Sequence, residues 1–248
     1  MDEVETFGGI LMKGLLGNVH TSKSNGVREG LEDLSCCDLR ASTRASGILA
    51  LLLVDNTTAK ERCLRTPIEI RDNCSVMLMP KLISYMQDAP LESIYRHDPN
   101  DVLSSPLYVQ ITMLKVLSIW LHDCSKAVGH FLSNDLHLPM IVDMVIHAPS
   151  VMNRNGGMHS SEEERGSSAD VISLLQGLAA VVVGMCLVYG EDMNDSSNNF
   201  KMMKALDVMS SRIGISRFFK KFEMLFNSGT SQKAISDPTE WKITSFSR

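Results

Sequence analysis

Apolar residues along this chain fall into long blocks at helical spacing. The clearest block runs from Leu107 to Leu132, LYVQITMLKVLSIWLHDCSKAVGHFL. Its first half keeps only a narrow polar stripe of Thr112, Lys115, Ser118 and His122. Ile111, Met113, Leu114, Val116, Leu117, Ile119, Trp120 and Leu121 fill the remaining faces. Such a helix is buried on most sides. One helix pair cannot cover that much apolar surface, so the segment asks for similar pairs stacked against it, the logic of an α-solenoid.

The same pattern predicts the other elements. Phe7 to Leu16 reads as a short apolar helix, followed by a Gly/Ser/Asn-rich loop, GNVHTSKSNGVREG. Asp38 to Val54 is the next helix. Asn56 or Thr57 can cap a third over Thr58 to Arg65, because a short side-chain oxygen accepts from the free amides of a first turn. Ser75 to Met86 is a fourth, and APLESIYRHDPNDVLSSP is a connector broken by three prolines. The long block divides into a helix to about His122 and a short one from Ser125 to Leu132. Pro139 then suits the first turn of a helix whose apolar face is Ile141, Met144, Val145 and Ala148. Residues from Pro149 to Ser168 lack apolar periodicity and read as a disordered surface insertion. Asp170 to Tyr189, Asn198 to Arg212 and Ser216 to Phe226 complete the helices, ahead of a frayed tail. No β-strand is expected, since alternation with β-branched enrichment persists nowhere.

An internal echo accompanies this pattern. LVDNTTAKERCL (Leu53 to Leu64) and WLHDCSKAVGHF (Trp120 to Phe131) both pass from a long apolar helix through a short polar corner into a short helix. The expected organisation is one all-α domain over residues 1–226, with the insertion at about 150–168 and the tail at 227–248.

Composition narrows the function more than the fold. The 248 residues are 44% hydrophobic and 21% charged, an ordinary globular balance. A net charge of −5 provides no basic field of the kind that tracks a phosphate backbone, so nucleic acid is not suggested. Sixteen methionines against fourteen aromatic residues favour adaptable helix packing. MDEVETFGG lacks the basic and apolar regions of a signal peptide, which makes an intracellular location the default. The six cysteines, widely and irregularly spaced without a CxxC, are then expected as reduced thiols, and the sequons at Asn56, Asn73 and Asn194 carry no weight.

Few residues suggest chemistry. Val171 to Tyr189 is nineteen residues without a charge, long enough for a membrane span. Its acidic flanks and internal Ser173 and Gln176 favour a buried helix instead, with Gly177, Ala180 and Gly184 as a small-residue stripe for close packing. A chain anchored in a membrane through this segment is the alternative reading. His122, Asp123, Cys124 and His130 match no zinc spacing, and a cap at Asp123 or Ser125 with a core Cys124 explains them. Cys36 and Cys37 fall in an expected loop. Gly156 and Gly157 make no phosphate loop, and Glu162 to Glu164 read as a solvated acidic run. Near the end, Arg212, Arg217, Lys220 and Lys221 accompany Phe218, Phe219, Phe222, Leu225 and Phe226 in a basic amphipathic helix. Its polar face can meet anionic membrane or an acidic partner, while its aromatic face suits a core. With Lys204, these four cations form the candidate interaction surface. No catalytic, metal or cofactor-binding residues are expected.

Three stretches carry a resemblance to a known family. MLKVLSIWLHDCSKAVGHFLSNDLHLPMIV, LLQGLAAVVVGMCLVYGEDMNDSS and MKALDVMSSRIGISRFFKKFEML resemble, in order and spacing, the C-terminal half of the head domain of the general vesicular transport factors, the Uso-type golgins that tether vesicles. FGGILMKGLL and LLLVDNTTAKERCLR look like preceding helices of that head. The landmarks are the WL corner before Cys124, the VxHFL helix, the LQGL opening and the RIG turn. They are packing signatures, and no partner-binding residue transfers with them. The likeness covers most of Phe7 to Phe226, with Gly26 to Asp38 and Met152 to Ser168 outside it.

The resemblance implies an armadillo-like α-solenoid of stacked helix pairs without enzymatic activity. It implies a tethering role in ER-to-Golgi and intra-Golgi transport ahead of SNARE-mediated fusion, in the cytoplasm and on the cytoplasmic face of Golgi and vesicle membranes. Rab-type GTPases, SNAREs and other tethering factors are the implied partners, with a homodimer in full-length members. The usual N-terminal part of the head and the heptad-rich coiled coil are not found in the sequence, so a fragment or truncated product is the expectation.

Overall fold

The structure, a computed structural model, describes residues 36–71, 74–88, 106–146, 162–190 and 196–227. The segments expected at Phe7 to Leu16, in the three-proline connector, in most of the insertion and in the tail lie outside these residues. Two compact units divide the chain between Trp120 and Leu121.

The first unit contains α1 (Cys36–Leu53), α2 (Thr57–Leu64), β1 (Pro67–Arg71), β2 (Cys74–Met77), α3 (Leu78–Asp88) and α4 (Pro106–Leu121). Cys36 and Cys37, expected in a loop, begin α1. That helix buries one face, Ser42, Ala45, Ser46, Leu49 and Leu53. The Ser46 hydroxyl donates to the Ser42 carbonyl at 2.6 Å and lies 3.7 Å from Met113 Sδ, so a polar residue is satisfied inside the core. Asn56 caps α2 by accepting from the Ala59 amide at 3.0 Å, one of the two caps expected.

The β-hairpin was not expected. Where a helix from Ser75 was predicted, β2 pairs antiparallel with β1, with Ile68 opposite Val76 and Pro67 opposite Met77, and the helix starts only at Leu78. The signal is short: β-branched Ile68 and Ile70 alternate with Glu69 and Arg71, and Asp72 and Asn73 are turn formers. Pro67 takes the first strand position, where its missing amide costs no ladder bond.

In α4 the narrow polar stripe is present. Thr112 donates to the Tyr108 carbonyl at 2.7 Å and Ser118 to the Leu114 carbonyl at 2.8 Å. Both hydroxyls are answered within their own helix, which leaves Val109, Met113, Leu114, Val116, Leu117 and Trp120 free to be fully buried. Lys115, on the same stripe, has its ammonium pushed below the usual lysine range by burial. Trp120 Nε1 donates to the Lys60 carbonyl at 2.9 Å, and Gln110 Nε2 donates to the Met86 carbonyl in the last turn of α3 at 3.1 Å.

The second unit contains α5 (Ser125–Leu132), α6 (His137–Ile146), α7 (Glu162–Val188), α8 (Ser196–Arg212) and α9 (Ile215–Asn227). Helix α7 is its centre, with α6 and α9 lying most extensively along it and α5 and α8 also in contact. It starts at Glu162, inside the expected insertion, so its first turns extend beyond the apolar segment. The α5 cap also differs from expectation. The N-cap is Cys124, without a side-chain bond, and Asp123 instead adopts a left-handed φ of 48°. Cys124 is buried, as expected of a core thiol. Pro139 lies in the first turn of α6, whose buried face includes Ile141 and Val145 together with Leu138 and Val142. Met144 is half-buried, and Ala148 lies outside the described residues. Nine helices and this one two-stranded ladder are found among the described residues.

Candidate interaction surface

The helix carrying most of the candidate cations, α9, is seated by two glycines of α7. A Cβ built on Gly177 would stand 2.6 Å from the Leu225 Cβ, and one on Gly184 would stand 3.9 Å from the Phe218 ring. The expected small-residue stripe is therefore where α9 approaches, closely at Gly177. Phe218 is buried there, with Phe222 half-buried and 6.5 Å from it between ring centroids. Lys221 Nζ donates to Gln176 Oε1 at 2.6 Å, giving the buried amide of α7 a partner. The chain enters α9 through Gly214, whose φ of 78° and amide bond to the Met209 carbonyl at 3.1 Å end α8. This is the RIG turn of the sequence.

Not all of the aromatic face is covered. Phe218 and Leu225 turn toward α7 and Phe222 is half-buried, but Ile215 is 55% exposed, Phe219 57% and Phe226 49%. Spaced i, i+4 and i+11, these three form one line along α9. The sequence placed Phe219 and Phe226 with the core face, because one apolar arc cannot by itself show how much of its width a neighbour covers.

The five cations divide into distinct environments. Lys204 pairs with Asp135 at 2.6 Å and Arg212 with Asp143 at 3.0 Å, both partly exposed pairs worth about 0–1 kcal/mol each. The equal 69-residue separation of the two pairs means that the Asp135–Asp143 stretch entering α6 and the Lys204–Arg212 stretch of α8 run parallel. Lys221 is committed to Gln176. Arg217 and Lys220 are exposed on α9, beside the exposed acid Glu223. The structure therefore brings Arg217, Lys220 and Lys221 together on α9 and ties Lys204 and Arg212 to α6 and its approach.

Elsewhere the chemistry is structural. Burial pushes the Cys186 thiol up to about 12 and raises that of Cys63, away from thiolate reactivity. His122 stands edge-on to Tyr189, with ring centroids 5.3 Å apart. His137 Nδ1 donates to the Phe131 carbonyl at 3.1 Å, and its ring is held below the usual histidine range, chiefly by burial. No group of three or more metal-binding side chains occurs among the described residues.

Comparison with known proteins decides the family. The family described as Uso1 / p115 like vesicle tethering protein, head region, matches residues 44–245. The chain belongs to this family. Golgin candidate 6 of Arabidopsis thaliana is 24% identical over 226 residues, which is 90% of this chain and 20% of that protein. General vesicular transport factor p115 of Mus musculus and of Homo sapiens are each 23% identical over 195 residues, 78% of this chain and 16% of theirs. The chain thus spans a fifth or less of the length of these relatives. In this Uso1 / p115 like head region the seating of α9 is interior, while the line of Ile215, Phe219 and Phe226 is exposed. The family is one of tethering proteins, which is not a class of enzymes. Val171–Val188 of α7 remains long and apolar enough to cross a membrane. Within the unit, α9 is fitted against this segment.

Proposed function

We propose that this chain is a non-enzymatic interaction module of a vesicle tether, acting in ER-to-Golgi and intra-Golgi transport before SNARE-mediated fusion. The observation that carries this reading is the head-region match across residues 44–245. In it, residues 1–226 form one armadillo-like α-solenoid segment whose buried helices hold the shape and whose exposed faces bind. Its partners are Rab-type GTPases, SNAREs or other tethering factors on the cytoplasmic face of Golgi and vesicle membranes, and full-length members of the family would act as dimers. Lys204, Arg212, Arg217, Lys220 and Lys221 mark the side of contact, with Arg217 and Lys220 most available. The helix corner at Asp55 recurs at Asp123, as a repeated unit would require.

A cell-free docking assay tests the reading. Purified chain added in excess to donor vesicles and Golgi acceptor membranes should compete with the full-length tether and lower docking. Docking that is indifferent to excess folded chain would sink the proposal.

A further inference from the structure

We propose that α9 is an interfacial helix that lays its exposed line of Ile215, Phe219 and Phe226 onto an anionic lipid bilayer. This goes beyond the proposed function, whose contacts are with protein partners, by assigning the exposed apolar line to lipid. Three observations point to lipid. First, the exposed line is apolar and largely aromatic, lies on one helix and extends over three turns, which suits insertion at the level of the headgroups. Second, charge is segregated. Residues 196–227 contain six Lys or Arg (Lys201, Lys204, Arg212, Arg217, Lys220, Lys221) and two acids (Asp207, Glu223), +4 in a chain whose net charge is −5, and still +2 when Asp135 and Asp143, the partners of Lys204 and Arg212, are included. An anionic surface therefore attracts this stretch. Third, Lys220, exposed on α9 next to Phe219 in sequence and about a quarter turn round the helix from it, has a long stem that can reach phosphates while the rings enter the interface; Arg217 lies on the far side of the helix and adds only longer-range attraction.

The seat on α7 makes this a fixed surface. Phe218, Leu225 and the Lys221 bond to Gln176 hold one side of α9, leaving the exposed line, about a quarter turn round the helix, already helical. Binding then need not include the cost of folding the helix that burdens a free amphipathic peptide. Glu223 lies between the exposed line and Lys220 and opposes the attraction, so the surface is tuned for reversible binding.

Co-sedimentation of the 248-residue chain with vesicles tests this. The chain should pellet with vesicles of equimolar phosphatidylcholine and phosphatidylserine, remain in the supernatant with phosphatidylcholine alone, and be released by high salt or alkaline carbonate. Combining Phe219→Ser with Phe226→Ser, both at exposed positions, should weaken binding at least tenfold. Lys220→Gln should weaken it roughly fivefold, Arg217→Gln on the far side of the helix should weaken it less, and Glu223→Gln should strengthen it. Lys204→Gln, at a cation paired with Asp135, should change it less. Circular dichroism of each variant verifies folding. Binding to neutral vesicles alone, binding unchanged in the Phe variants, or carbonate-resistant association would each overturn the inference. So would an absence of vesicle binding accompanied by self-association that the Phe variants abolish, which would assign the line to a second copy. None of these results bears on competition in the docking assay, so the two proposals fail separately.

Discussion

Asp55 and Asp123 occupy the same left-handed backbone well, at φ 50° and 48°, each just after a long apolar helix and just before the cap of an eight-residue one. In both corners the following amide, of Asn56 or Cys124, reaches back to the carbonyl of Leu53 or Leu121, at 3.3 and 3.4 Å. The echo read between LVDNTTAKERCL and WLHDCSKAVGHF is therefore a repeated backbone device. Aspartate is among the few residues with a side chain that tolerate it.

Replacing either aspartate separates backbone strain from side-chain bonding. Asp123→Gly should stabilise the chain by about 0.5–1 kcal/mol by relieving the left-handed conformation, whereas Asp123→Val should destabilise it by about 1–2 kcal/mol. Urea midpoints for the pair, with those of Asp55→Gly and Asp55→Val, check both signs.

Gly177→Ala should force α9 outward, because the new methyl would meet the Leu225 Cβ at 2.6 Å. A loss of about 1–3 kcal/mol is expected from such overpacking. Leu225→Ala introduced into the same chain should recover part of that loss, so a double-mutant cycle would show coupling of at least about 0.5 kcal/mol. Additive effects would contradict the seating described above.

Trp120→Phe removes the donor to the Lys60 carbonyl and should cost about 1–3 kcal/mol. The loss should appear in hydrogen exchange as faster exchange in α2, while amides of α7 hold their protection.

The pH dependence follows from His137. Burial, the largest influence, lowers its affinity for a proton, opposed by the bond to the Phe131 carbonyl and assisted by the nearby His130. Its folded pKa is thus below the ordinary 6.5. As pH falls through 6.5 the unfolded chain takes up a proton before the folded one does, so stability should decline toward acid and level off below the folded value. Above 6.5 the residue contributes no slope. His137→Gln should flatten a plot of urea midpoint against pH in that window, and an unchanged slope would contradict the assignment.

Native-state alkylation at neutral pH should leave Cys124 and Cys186 unmodified, since both are buried and the Cys186 pKa is pushed up to about 12. Both should react once urea unfolds the chain, with mass spectrometry of peptides giving the order.

Helix positions were legible wherever apolar spacing was sustained. Residues Leu107 to Leu132 announced a long buried helix, a corner and a short helix, and Asn56 announced its cap. The hairpin was harder to read because its strands are four or five residues long, and VMLMPKLISYM after it has a helical period that obscures where the strand ends. The cap at Cys124 was missed because a capping oxygen was sought at Asp123 or Ser125, while the backbone completed the turn without one. The line on α9 could not be separated from the core by sequence alone. Ile215, Phe218, Phe219, Phe222, Leu225 and Phe226 share one apolar arc, and only the position of α7 divides it.

The hydroxyls of Thr112 and Ser118, turned back on their own carbonyls, leave α4 with little polar demand on its surroundings. Packed side chains hold such a rod without giving it directional bonds. Two donors add them: Gln110 fastens it to the end of α3 and Trp120 to α2, roughly 15 Å apart along the rod. Helix α4 is a beam on two bearings, and loosening either one should let it swing before it melts.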